Sequence, residues 1–217
     1  MSSSLVGSEM CIRDRLVTMN LQNIAQMSCN PAMGGIAKGQ IIKEIDAIGG
    51  YSGIVTDYSA IQFKMLNRSK GPAMWSPRAQ SDRMMFSQKW RELLEQTPNL
   101  DFYQDSVTGL LVENSTIKGV STQLGLEIRS KTVVLTNGTF LNGLIHIGET
   151  QIPAGRYDEK PSTGLSEQLA KFKMQIGRLK TGTPPRLDGS TINYDDLEMQ
   201  PADDDHYYFS FLSLIHI

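Results

Sequence analysis

The residues of this 217-residue chain best suited to chemistry stand in one run, CNPAMGGIAKGQIIKEIDAIGG, from Cys29 to Gly50. Cys29 offers a thiol, and Gly34, Gly35 and Gly39 surround a single cation, Lys38. Glycine lets the backbone adopt conformations closed to other residues and lets a ligand approach the main chain. A helix starting behind such a loop presents unpaired N–H groups and the positive end of its dipole, which suit phosphate or an anionic ring. Ile41, Ile42, Ile45 and Ile48 recur near helical spacing, so a helix is predicted from about Ile36 to Ala47. On spacing alone two readings stay open: a ligand cradle feeding a helix, or an ordinary glycine-rich turn before a surface helix.

The elements that must hold this loop are legible on either side of it. Leu16 to Met19 reads as the end of a strand, and Tyr58 to Leu66 as a second, weaker helix. Ser76 and Pro77 form a helix start, with Met85, Phe86, Trp90, Leu93 and Leu94 as an apolar core stripe up to Pro98. From Asp101 the period changes. Phe102 to Gln104, Val107 to Glu113, Ile117 to Gln123, Leu126 to Arg129 and Thr132 to Thr136 are predicted strands. The last runs through TVVLTNGTF into Asn137 and Gly138, as a buried strand does at the carboxyl edge of a parallel sheet, where ligands of open α/β folds sit. Beyond His146 come a short helix over Ser166 to Phe172, a basic proline-containing connection from Arg178 to Arg186, and an acidic solvated loop from Asp195 to Asp205. The order is that of an α/β flavoprotein dinucleotide domain carrying a β-meander.

Composition bounds the rest. With 40% hydrophobic and 20% charged residues the chain has a globular make-up, and its net charge of −2 confines any nucleic-acid contact to local patches. No apolar run reaches the ~20 residues of a membrane span. Two cysteines, Cys11 and Cys29, make no disulfide framework, which favours a reducing compartment and a cytoplasmic location. No Cys/His spacing supports zinc. Residues 1–15 (MSSSLVGSEMCIRDR) lack the pattern of a signal peptide and read as a non-native, adapter-derived leader, as do 213–217 (SLIHI) as a tail. The expected organisation is a partial cofactor-binding domain over 16–165, then a linker and the start of a second domain over 166–212.

The segments QMSCNPAMGGIAKGQIIKEIDAIGG, IQFKMLNRSKGPAMWSPRAQSDR, VVLTNGTFLNGLIHIG and GRLKTGTPPR, in this order, closely resemble the MnmG (GidA) family of tRNA uridine 5-carboxymethylaminomethyl modification enzymes. The resemblance covers nearly all of Leu16 to Phe211. It implies a two-dinucleotide, Rossmann-type flavoprotein that modifies C5 of the wobble uridine with FAD, NADH, methylenetetrahydrofolate and a GTPase partner of the MnmE type, as a homodimer. It also implies that the first strand and its GxGxxG loop, the NADH segment and a C-terminal helical domain are missing, so the expected product is a fragment that binds FAD poorly and does not turn over alone. The competing readings are a folate- and FAD-dependent tRNA uracil-5 methyltransferase and a non-catalytic truncated product.

Position by position, the resemblance sets the Gly34, Gly35 and Lys38 loop near the flavin and its ribityl-pyrophosphate arm. It sets Val107 at the FAD adenine, Ser162 at another FAD contact, and Gly138, Thr139 and Phe140 in a turn beside the cofactor; composition alone would make Val107 an ordinary strand valine and Ser162 an ordinary loop serine. Cys29 becomes a candidate nucleophile at C6 of uracil or a flavin-side thiol, against the alternative of a cysteine packed under the loop. For tRNA, Lys64, Arg68, Lys70, Arg78 and Arg83 with Trp75 form a basic patch suited to phosphate tracking, and Arg178, Lys180 and Arg186 form a second cluster; each is equally readable as solvated surface.

Overall fold

The computed structural model describes residues 13–28, 30–204 and 207–213. Cys29, Cys11 and His216 therefore lie outside the described residues. In chain order the elements are β1 (Asp14–Thr18), β2 (Ala32–Gly34), α1 (Gly39–Ala47), α2 (Ser52–Ser59), β3 (Ala60–Leu66), β4 (Ser76–Ser81) and α3 (Arg83–Gln96). They continue with β5 (Leu100–Gln104), β6 (Val107–Glu113), β7 (Thr116–Thr122), β8 (Glu127–Arg129), β9 (Leu144–Ile147), β10 (Thr150–Pro153) and α4 (Leu165–Lys171). The chain divides into two units: 13–23 with Thr97–Lys180, and Ile24–Gln96 with 181–213.

In the first unit β1 and β5 pair in parallel, Asp14 opposite Leu100 through Thr18 opposite Gln104. The antiparallel meander β6–β7–β8 follows, with a bulge in β6 between Val107 and Gly109. Helix α4 is tied to β6 by one side chain: Gln168 donates to the Leu110 carbonyl at 2.7 Å and accepts from the Leu110 amide at 2.6 Å. Such a paired contact fixes a helix on a strand edge whose backbone groups need partners.

In the second unit β4 is the central strand of β2–β4–β3. Ile42 of α1, Ala79 of β4 and Phe209 form its buried core, with Met33 and Phe63 packed against them. Helix α3 contributes Phe86, Trp90 and Leu94, each buried at a spacing of four. It begins at Arg83 because the Asp82 carboxylate accepts from the Met84 and Met85 amides, both at 2.9 Å.

Six local expectations are corrected. The stretch Tyr58 to Leu66 is not one helix: α2 ends at Ser59 and β3 begins at Ala60, because AIQFKML finds a ladder on β4 and tertiary pairing overrides a weak helical period. Ser76 and Pro77 do not start a helix but lie in β4, where Pro77 stands beyond the β2 ladder and its missing N–H leaves no gap there. Within the apolar stripe, Met85 is 42% exposed. The segment Thr132 to Thr136 is not a buried strand, since Val134 is 69% exposed and no strand among the described residues lies alongside to complete a ladder. The predicted helix 36–47 starts later, at Gly39, because 36–38 form a turn in which Ala37 takes φ +61° and the Lys38 and Gly39 amides donate to the Gly35 carbonyl. Asp203 of the acidic loop is also not merely solvated: it accepts from the Met65 amide and the Arg68 guanidinium at 2.6 and 3.1 Å.

Candidate cofactor-binding site

Parallel strands deliver their chain ends to the same edge, and the edge beyond Thr18 of β1 and Gln104 of β5 carries a cleft of about 710 Å³. Its walls include Asn20 and Asn23 after β1, Asp105 and Thr108 after β5, and Glu159 and Thr163. The Asp105 amide donates to the Thr18 carbonyl at 3.0 Å, which carries the parallel ladder into the cleft floor. The Asp105 carboxylate then accepts from the Ser106 and Leu124 amides at 2.7 and 3.1 Å. Burial pushes this carboxyl up, but the Thr122 hydroxyl and the two amides outweigh it and hold the group below the usual carboxylate range. Across the cleft Glu159 is paired with Arg156 at 3.0 Å and accepts from the Asn23 side chain at 2.9 Å. Both carboxylates are thus engaged in building the walls.

Two of the expected cofactor residues meet at the rim. The Ser162 hydroxyl donates to the Val107 carbonyl at 3.5 Å, and its neighbours Pro161 and Thr163 line the cleft. The Ser162 amide donates to the Phe140 carbonyl at 2.8 Å, and its own carbonyl accepts from the Asn142 amide at 2.8 Å. One serine therefore joins the start of β6 to the turn at 138–142. Thr139 donates to the Gly155 carbonyl at 2.8 Å. Gly138 adopts φ +54° with open space around it, so the turn needs its backbone freedom.

Gly34, Gly35 and Lys38 belong to the other unit. Gly34 is the last residue of β2, opposite Arg78, and the Gly35 amide donates to the Pro77 carbonyl at 2.8 Å. Lys38 donates its amide to the Gly35 carbonyl at 3.0 Å, closing the turn that precedes α1. A Cβ at Gly34 would lie 2.2 Å from the Pro77 oxygen and 2.6 Å from the Phe209 ring, whereas one at Gly35 would meet only Arg78 Cδ at 3.9 Å. Gly34 is a packing glycine as well as a turn glycine. The loop is thus both the conformational feature expected and a close contact that sequence spacing does not reveal.

The basic residues divide similarly. Lys64 donates to the Pro201 carbonyl at 3.3 Å and Arg68 pairs with Asp203 at 3.1 Å while stacking over Tyr207. Arg78 is half-buried beside Gly35, and Lys70 is exposed. Arg178 donates to the Asn142 carbonyl at 3.2 Å in one unit, with Lys180 exposed nearby in sequence, and Arg186 donates to the Ser28 carbonyl at 3.1 Å in the other. Among the described residues no group of three His, Cys, Asp or Glu is gathered to hold a metal. Asn23, Asp105 and Glu159 were absent from the sequence expectations. For Asp105 a signal existed, an acid directly behind a predicted strand; Asn23 and Glu159 are 136 residues apart and meet only in the fold.

A curated relative from Flavobacterium johnsoniae, the tRNA uridine 5-carboxymethylaminomethyl modification enzyme MnmG, is 66% identical over 199 residues, 92% of this chain and 32% of its own length. The corresponding protein of Christiangramia forsetii is 61% identical over 96% of this chain and 34% of its own. The chain therefore spans about a third of the curated relatives it matches. The crystal structure of Aquifex aeolicus GidA superposes with a TM-score of 0.89 at 46% identity, over 96% of this chain and 35% of that one. A GidA-related protein from Thermus thermophilus shares the fold alone, with a TM-score of 0.51 at 24% identity over 78% of this chain and 61% of that one. The family model described as glucose inhibited division protein A matches residues 2–215, and with it the mixed α/β architecture around a parallel strand pair is accounted for: the chain belongs to the GidA family.

Proposed function

We propose that this chain is the FAD-handling portion of an enzyme that adds a carboxymethylaminomethyl group to C5 of the wobble uridine of tRNA, in the cytoplasm, together with a GTPase partner and with NADH and methylenetetrahydrofolate as co-substrates. The observation that carries the reading is the cleft at the carboxyl ends of β1 and β5, with Val107 and Ser162 joined at its rim. Its size, about 710 Å³, falls within the range of small-molecule sites, and its position is where open α/β folds take nucleotides. The residues fit the adenosine end of FAD: a strand start beside the rim whose carbonyl a serine holds, and a glycine turn with open space around it. The flavin, when bound, supplies the hydride and electron transfer of the reaction.

The chain's own residues would do the remaining work in distinct ways. Ser162 orients the Val107 backbone, and Thr139 braces the Gly138 turn. By the family resemblance Gly34, Gly35 and Lys38 would contact the flavin, with Lys38 supplying positive charge for a phosphate-bearing arm. Cys29 would add through its thiolate to C6 of the uracil. The C6–S bond forms as electron density moves to C5, C5 bonds to the methylene carbon of methylenetetrahydrofolate, the C5 proton leaves, the amine of glycine replaces the folate nitrogen on that carbon so that tetrahydrofolate departs, and the C6–S bond breaks to restore the ring. Lys64, Arg68, Lys70, Arg78, Arg178, Lys180 and Arg186 would supply tRNA phosphate contacts, strongest where the cation is not already committed, as at the exposed Lys70 and Lys180. Homodimerisation of the whole protein belongs to the same reading. No helix among the described residues is long and apolar enough to cross a membrane.

The test is complementation. A full-length gene carrying this sequence, placed in a bacterium lacking its own wobble-uridine enzyme, should restore carboxymethylaminomethyluridine in tRNA as read by mass spectrometry, whereas the 217-residue chain alone should not. The Cys29→Ser form should not. Appearance of 5-methyluridine instead would replace this reading by that of a uracil-5 methyltransferase. Restoration by neither full-length form, with no flavin absorbance on the purified full-length protein, would leave a non-catalytic product.

A further inference from the structure

The segment Tyr207–Phe211 lies far from the glycine loop in sequence, yet it supplies the residue that shapes it. Phe209 is 0% exposed and completes the core formed by Ile42 and Ala79, with Met33 of β2 and Phe63 of β3 packed against it. Its ring centroid lies 5.4 Å from that of Phe63, and the ring edge fills the space where Gly34 would carry a side chain.

The backbone around Phe209 is clamped at both faces. Asp57 of α2 accepts from the Phe209 and Ser210 amides, both at 2.8 Å, and Asp46 of α1 accepts from the Phe211 amide at 2.9 Å. Lys43 of α1 donates to the Tyr208 and Phe209 carbonyls at 2.8 and 3.4 Å and sits 5.1 Å over the Phe211 ring. Gly53 of α2 makes room, because a Cβ there would lie 3.1 Å from the Ser210 nitrogen. Two helices thus provide acceptors, a donor and a bare backbone patch matched to one short peptide, which is more than a loop resting on a surface requires.

We infer that Tyr207–Phe211 is a strap that sets the conformation of the Gly34–Gly35 loop, and that Phe209 is a positioning residue for the flavin. The second half rests on the reading above that this loop faces the flavin. Phe209 holds β2 against β4, so the Gly35 amide stays on the Pro77 carbonyl and the loop is preformed before a ligand arrives. Without the ring, β2 loses its packing partner and the loop samples other conformations.

The experiment compares the full-length protein carrying this sequence with its Phe209→Ala, Phe209→Leu and Asp57→Asn forms by hydrogen exchange and FAD titration. Phe209→Ala should raise amide exchange across 34–39 by about tenfold or more while α3 stays protected, weaken FAD in parallel, and be largely rescued by Phe209→Leu. If Phe209→Ala fails to fold, Phe209→Leu and Asp57→Asn carry the test, each loosening the loop to a smaller degree. Unchanged exchange at 34–39, or an equal rise in α3, overturns the strap. A loosened loop with unchanged FAD affinity overturns the flavin role of Phe209. A loosened loop in a full-length protein that takes up no FAD at all, wild type included, leaves the strap standing and removes the flavin reading of the loop instead.

Discussion

Adjacent glycines with similar backbone angles should respond very differently to the same substitution. Gly34 has φ +82° and Gly35 φ +94°, so an alanine at either position pays the left-handed penalty of about 1–2 kcal/mol. At Gly35 little else happens, since the nearest atom to the new Cβ is the flexible Arg78 Cδ at 3.9 Å. At Gly34 the new Cβ lies 2.2 Å from a backbone oxygen and 2.6 Å from the buried Phe209 ring. Relieving that overlap displaces strand or ring and adds an overpacking cost of about 1–3 kcal/mol. Gly34→Ala is therefore expected to cost about 2–5 kcal/mol and Gly35→Ala about 1–2 kcal/mol. The entropy that alanine removes from the unfolded chain is common to both and cancels in the comparison. Urea unfolding followed by tryptophan fluorescence suits the measurement, because both tryptophans, Trp75 and Trp90, lie in the unit that holds the loop. Two variants equal within about 0.5 kcal/mol would refute the packing role of Gly34 and return it to a purely conformational or ligand-contacting glycine.

Two carboxylates that each accept from backbone amides should show opposite pH dependence. Burial raises the Asp57 pKa despite the Phe209 and Ser210 amides and the nearby Lys43. Its contribution is thus fullest below the ordinary carboxylate value of about 3.9 and is lost as pH rises through the folded value. Asp105 is held low by its hydrogen bonds, so its contribution is present above about pH 3.9 and is lost as pH falls through the folded value. Amide exchange in each unit, wild type against Asp57→Asn or Asp105→Asn across pH 3 to 7, checks both signs; a shared sign sinks the argument. Trp90→Ala, removing a side chain 3% exposed on α3, should cost about 3–5 kcal/mol and lower the urea midpoint accordingly. Gln168→Ala should cost about 1–3 kcal/mol by stripping the Leu110 amide and carbonyl of their partner, visible as faster exchange at Leu110 in an otherwise protected β6.

Sequence alone determined what local chemistry determines. The meander strands from Val107 to Arg129 were legible because their alternation and turn residues are written within a few positions of one another, and the helix behind Gly39 because its isoleucines repeat at helical spacing. The family resemblance was carried by contiguous blocks for the same reason. Only the tertiary structure decided that Ala60–Leu66 is a strand and that Ser76–Ser81 is the strand between two others, since a weak local period yields to a ladder partner elsewhere in the chain. It decided against a buried strand at Thr132–Thr136, where apolar residues were present and a neighbour was not. It also brought Asn23 to Glu159 and Phe209 to Gly34, contacts whose partners are separated by well over a hundred residues and share no pattern. Periodicity records which face of a segment is apolar; what that face meets is set by packing, and so the cleft and the strap appear only once the chain has folded.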